Sequence, residues 1–206
     1  MKYPFFASFI VLCLLLMYEI HKRREKEAKK YQEFWDEEAK ANSTRRQSLD
    51  DLEYITIPFE TLPINILPAD EQAAEQISEY ISTLHTLAEA PIVNFTGLTN
   101  TELKLKYGAP NIDLLSSYDQ AYTLLARTLN DWARALYAND YKDEAMAILE
   151  FAISTKTDVS ESYYLLANIY KEKNTTEKIK ELISVASEIN SLMSKSIVNK
   201  LEEYLK

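Results

Sequence analysis

The sequence predicts an all-α protein. It begins with an N-terminal transmembrane helix that continues into a juxtamembrane helix. An extended arm follows, then antiparallel helix pairs closed by a C-terminal capping helix. Three observations predict this. Residues 3–18, YPFFASFIVLCLLLMY, carry no charge. Apolar side chains recur at a period near 3.6 over residues 70–89. A pattern of large and small residues over 126–159 returns over 160–193, at an offset of 34.

The first element is the anchor. An uncharged run of this length lies near the short end of what crosses a bilayer, and Glu19 and Ile20 extend it. Chain in lipid satisfies its own backbone hydrogen bonds, so a helix is expected. A cleaved signal peptide is the rival reading, but Leu16, Met17, Tyr18 and Glu19 offer no small-x-small site. Lys22, Arg23, Arg24, Lys26, Lys29 and Lys30 follow the run and only Lys2 precedes it, so the positive-inside rule puts the C-terminal side in the cytoplasm. Cys13 then lies in the bilayer as a packing residue.

Residues 21–41 contain no glycine or proline and are rich in helix formers, so the helix continues. Tyr31, Phe34, Trp35 and Ala39 share one face, suited to packing, self-association or an interfacial position on lipid. Residues 42–48 read as a hinge. Pro58, Pro63 and Pro68 break any helix in the next stretch. Tyr54, Ile55, Thr56 and Ile57 favour extended chain, giving an arm over 49–67 laid on a helical surface.

Asp70 is a natural cap for the helix that follows, and Pro91 stops it. His85 sits beside the apolar stripe and reads as a packing histidine. Asn100 or Thr101 can cap a short helix through Tyr107, with Gly108 as its left-handed terminus. Asn42, Asn94 and Asn174 each open an N-x-Ser/Thr triplet, which matters only in a glycosylating compartment.

Composition narrows the function. Gly97 and Gly108 are the only glycines, too few and too separated for a phosphate-binding loop. One cysteine and two histidines leave no disulfide, no cysteine-based zinc site and no metal or cofactor expectation. Residues 49–206 carry a balance of −12 against +3 for residues 21–48, which disfavours nucleic acid. No nucleophile–His–acid set can be drawn, so an enzyme is not expected.

At the 34-residue offset, Leu129 matches Tyr163, Trp132 matches Leu166, Ala133 matches Ala167 and Leu136 matches Tyr170. Ala145 then matches Ile179, Leu149 matches Ile183 and Ala152 matches Ala186. The small residues let neighbouring helices approach, and the large ones fill the grooves between them. This order and period resemble tetratricopeptide repeats. The turn Ala138-Asn139-Asp140-Tyr141 resembles that family's turn, with Asn139 expected in the left-handed position, and Lys173-Asn174-Thr175-Thr176 is its counterpart. Tyr163 and Ile179 depart from the usual residues, and the terminal proline is missing. Ile197, Leu201 and Tyr204 would let residues 194–206 cap the array.

The expected organisation is an anchor at 1–20 and a basic juxtamembrane helix and hinge at 21–48. The arm, amphipathic helix and connector at 49–117 pack on two repeats plus cap at 118–206. The whole chain also resembles uncharacterised single-span bacterial membrane proteins, which implies no activity. The repeat resemblance implies a scaffold for protein–protein interaction at the cell membrane. Its concave groove would bind a peptide or protein segment through Arg127, Asn130, Asp131, Arg134, Glu161, Tyr164 and Asn168. The arginines would grip a carboxylate and the asparagines a peptide backbone. The alternative is a homo-oligomeric spacer joined through residues 21–41, with lipid as the only other partner.

Overall fold

A computed structural model describes residues 4–205, with side chains from residue 9 onward. Its helices are α1 (Pro4–Ser43), α2 (Glu71–Leu87), α3 (Asn100–Tyr107), α4 (Ile112–Ala138), α5 (Lys142–Ser154), α6 (Ser160–Glu172), α7 (Thr176–Ser187) and α8 (Ser194–Glu203). Among the described residues there is no β-strand; Tyr54 and Val93 form one isolated antiparallel bridge. The chain divides into two compact units, Met1–Gln47 with Asn100–Asn111, and Ser48–Thr99 with Ile112–Lys206.

The first unit is α1 held by a short inserted segment. The helix runs unbroken through the predicted juxtamembrane stretch, as its composition dictates, and stops at Ser43. The predicted span starts in residues 1–3, which lie outside the described residues along with the side chains of 4–8. No helix among the described residues is long and apolar enough to cross a membrane. Near its end α1 meets α3. Glu38 accepts a hydrogen bond from Thr101 and an ion pair from Lys104 at 3.2 Å. Gln47 N–H donates to the Tyr107 carbonyl at 3.0 Å, and Ala109 N–H donates to that of Thr44 at 3.1 Å. This crossing requires Gly108: its φ is +92°, and a Cβ there would stand 2.3 Å from the Arg45 carbonyl oxygen.

The second unit holds most of the core. Asp70 caps α2 by accepting from Ala73 N–H at 2.8 Å. The prolines leave 49–67 as irregular extended chain, and Ile57 and Leu62 anchor it in the core. Phe59 stacks on His85 with ring centroids 4.3 Å apart, the packing role expected of that histidine. Residues 91–99 thread beside the α5–α6 turn, where Asn94 Nδ2 donates to the Thr155 and Lys156 carbonyls.

α4 packs on α2 and α5, and α5, α6, α7 and α8 then contact in succession. Every residue matched at the 34-residue offset is buried except Ile183, which is half-buried. Trp132 and Tyr163 are fully buried and are the largest such side chains. Ala133, Ala152, Ala167 and Ala186 show no exposed surface, as close helix approach demands. Ile197 and Leu201 of α8 complete this core, with Tyr204 partly buried against it.

The two interhelical turns share one geometry. Asp140 N–H donates to Tyr137 and Tyr141 N–H to Leu136; in the second turn Asn174 N–H donates to Lys171 and Thr175 N–H to Tyr170. The left-handed residues are Asp140 (φ 68°) and Asn174 (φ 56°). The expectation for Asn139 is therefore corrected by one residue. Asn139 instead turns its side-chain amide back onto the Ala135 carbonyl at 2.8 Å and closes the helix end.

Candidate groove between three helices

A cleft of about 630 Å³ opens between α2, α4 and α6. Gln76 and Tyr80 of α2 form one wall and Leu165 of α6 the other. The floor is α4, where Ala135 and Ala138 leave room and Asp131, Arg134 and Tyr137 project polar groups. No residue of the arm lines this cleft.

The sequence-derived site residues separate here. Asp131 and Arg134 line the cleft. Arg134 Nη1 lies 3.4 Å from Glu161 Oε2 and 3.9 Å from Asp131 Oδ1, so its charge is shared between two of the protein's own acids. Asn130 is buried and accepts a hydrogen bond from Ser162 Oγ at 3.1 Å, tying α4 to α6. Its amide donates to Asp131 Oδ1 at 3.3 Å and helps to orient that carboxylate. Asn130 therefore positions the site and does not reach toward a peptide backbone. Arg127 and Asn168 are exposed, and their side chains make no hydrogen bond or ion pair with the described residues. Tyr164 is half-buried, and its carbonyl accepts from the Tyr204 hydroxyl at 3.5 Å.

The tyrosines carry the local electrostatics. Burial, then the nearby Asp131 charge, pushes the Tyr80 hydroxyl above its ordinary pKa. It stays protonated at neutral pH, accepting from Gln76 Nε2 at 2.8 Å with its own proton still to give. Tyr137 donates to Glu172 at 2.7 Å, and this bond raises the phenol and lowers the carboxyl. Lys142 completes that cluster, 3.0 Å from Glu172.

Gln76, Tyr80, Tyr137 and Leu165 are lining residues that the sequence reading of the site missed. Leu165 is legible in hindsight, because it stands at the 34-residue offset from Asp131. Gln76 and Tyr80 have no such marker, since α2 lies outside the repeat. Among the described residues no three His, Cys, Asp or Glu side chains are placed to hold a metal ion. No protein-family model, curated protein or solved structure matches the chain.

Proposed function

We propose that this protein is a membrane-anchored adaptor or assembly factor whose tetratricopeptide-like helix stack binds a peptide or protein segment in the α2–α4–α6 groove. The observation that carries the reading is the agreement of burial and turn geometry at one 34-residue offset. Small residues fall where helices touch, large ones fill between them, and the left-handed turn residues Asp140 and Asn174 occupy equivalent positions. Stacks of this kind present their first helices along one face, and a groove there suits an extended segment. The role is binding, not catalysis.

The anchor is argued from exposure. Phe9, Ile10, Val11, Leu12, Leu14, Leu15, Leu16, Met17, Tyr18 and Ile20 are all exposed, on every side of α1. A helical stretch that is apolar on every side is favoured where something apolar surrounds it, and a bilayer supplies that. The basic run after it favours a cytoplasmic C-terminal side.

A second reading has its own observation. Tyr31, Phe34 and Trp35 are at least half-exposed and meet edge to face, with centroids 5.8 and 5.5 Å apart. Such a cluster fits a homo-oligomeric spacer joined through residues 21–41.

The test is a photo-crosslinking amino acid at Leu165 in the full chain, irradiated in intact cells. A discrete heterologous adduct that is absent when the probe sits at exposed Lys180 supports the adaptor. Self-adducts alone would favour the spacer, and no adduct at Leu165 would overturn the groove assignment.

A further inference from the structure

The adaptor reading leaves open what kind of segment the groove accepts. The resemblance alone implies a carboxylate held by arginines, but the geometry argues otherwise. Arg134 is already shared between Asp131 and Glu161. Arg127 does not line the cleft. Outside the lining, α2 carries Glu71, Glu75 and Glu79 and no lysine or arginine, and the Glu79 charge acts on the Tyr80 hydroxyl. Lys142, beyond Tyr137, is paired with Glu172 at 3.0 Å, so it adds no free positive charge. Two carboxylates, Asp131 in the lining and Glu161 beside it, thus share one arginine, and this cluster carries a net negative charge. The groove's floor of Ala135 and Ala138 and its Leu165 wall accept small apolar side chains.

We infer that the groove recognises a cationic, extended segment, with small apolar residues over Ala135 and Ala138 and a lysine or arginine directed at Asp131 and Glu161. This rests on the adaptor reading and specifies its partner. The cation takes a share of the two carboxylates that Arg134 now holds. The Tyr80 hydroxyl supplies a hydrogen bond to the segment's backbone. Charge complementarity of this kind chooses between partners more than it adds raw affinity.

The experiment is a selection of random heptapeptides displayed on phage, against the full-length protein in detergent micelles. Three forms are compared: the parent, Asp131→Asn with Glu161→Gln, and Arg134→Gln. Circular dichroism verifies that each variant is folded. The inference predicts peptides enriched several-fold in lysine and arginine, an enrichment lost in the Asp131→Asn/Glu161→Gln form and kept in Arg134→Gln. Enrichment in aspartate and glutamate that disappears with Arg134→Gln would overturn the charge assignment while leaving the groove in use. Enrichment with no charge bias, no enrichment, or enrichment indifferent to every variant would also overturn it. The in-cell crosslink at Leu165 reports separately on whether the groove binds a partner at all.

Discussion

The two longest helices are held for opposite reasons. α1 has 40 residues, and Ala41 is the one buried side chain among those described. α4 has 27 residues and buries ten of them, in a stripe that faces α2, α5 and α6. In α4, tertiary packing decides the helix, as is usual in folded domains. In α1 the backbone ladder, good helix formers and ion pairs such as Lys29–Glu33 hold the form with little help from the fold. Such a helix leaves its apolar side chains uncovered by its own chain. A helix like α4 is built to carry a surface.

The two tryptophans put this contrast to its strongest test. Trp132 on α4 is fully buried, whereas Trp35 on α1 is 50% exposed. Trp132→Ala should cost about 3–5 kcal/mol in urea unfolding of the second unit. Trp35→Ala should change stability by no more than about 0.5 kcal/mol. Equal losses would mean that α1 is packed far more than its exposure indicates.

A smaller effect follows from crowding a close contact. Ala167 has no exposed surface, and leucine there forces α6 away from its neighbours. Ala167→Leu should lose about 1–3 kcal/mol, measured by the urea midpoint. Val185 is exposed on α7, so Val185→Ala should leave the midpoint nearly unchanged and serves as the control.

Backbone geometry supplies the next step down. Gly97 has φ +83°, and a Cβ there would stand 2.0 Å from the Asn190 backbone oxygen. Gly97→Ala should destabilise the second unit by more than about 1 kcal/mol, because the conformation and the space both exclude a side chain. Faster amide exchange in residues 94–98 and 188–192 would localise the damage.

The smallest effect concerns the hold on α1. Hydrogen bonding from Thr101, then from Lys104, keeps the Glu38 carboxyl below its ordinary value of 4.5. A carboxyl depressed in the folded state contributes stability above that ordinary value and loses it as pH falls through the lowered one. Spin labels at Lys40→Cys and Lys106→Cys, with Cys13→Ser, should show an α1–α3 distance distribution that broadens below about pH 4.5. Adding Glu38→Gln should remove that pH dependence.

The repeat core was legible in sequence because its contacts are between residues a fixed distance apart. Period 3.6 located the faces, and the 34-residue offset matched them. Asp70 and Gly108 marked helix ends for local reasons, and α2 begins and α3 ends beside them; α2 itself stops at Leu87, four residues short of Pro91. What escaped depends on contacts that no period encodes. The Tyr54–Ile57 propensity for a strand met just the Ile92–Val93 segment, so one isolated bridge formed. The Glu38–Thr101–Lys104 clamp joins residues far apart in the chain, and nothing local announces it. Asn130 reads as a groove residue from its place in the repeat, but it is buried and its amide oxygen accepts from Ser162 of the next repeat, which no local pattern encodes. The left-handed turn residue was misplaced by one because asparagine and aspartate both tolerate that conformation. The two turns had to be aligned with each other to choose between them.

The proposed membrane-embedded stem is tested most directly through the chain's own single cysteine. Cys13 lies in α1 among exposed apolar side chains and is only half-buried by the protein. Full-length protein in native membranes, opened so that both faces are accessible, is treated with a water-soluble maleimide before and after solubilisation in denaturing detergent. A membrane-embedded stem predicts a Cys13 that is unreactive in the intact bilayer and fully labelled once lipid is removed. Prompt labelling in intact membranes would contradict the membrane-embedded stem, because it would put the apolar stretch around Cys13 in water.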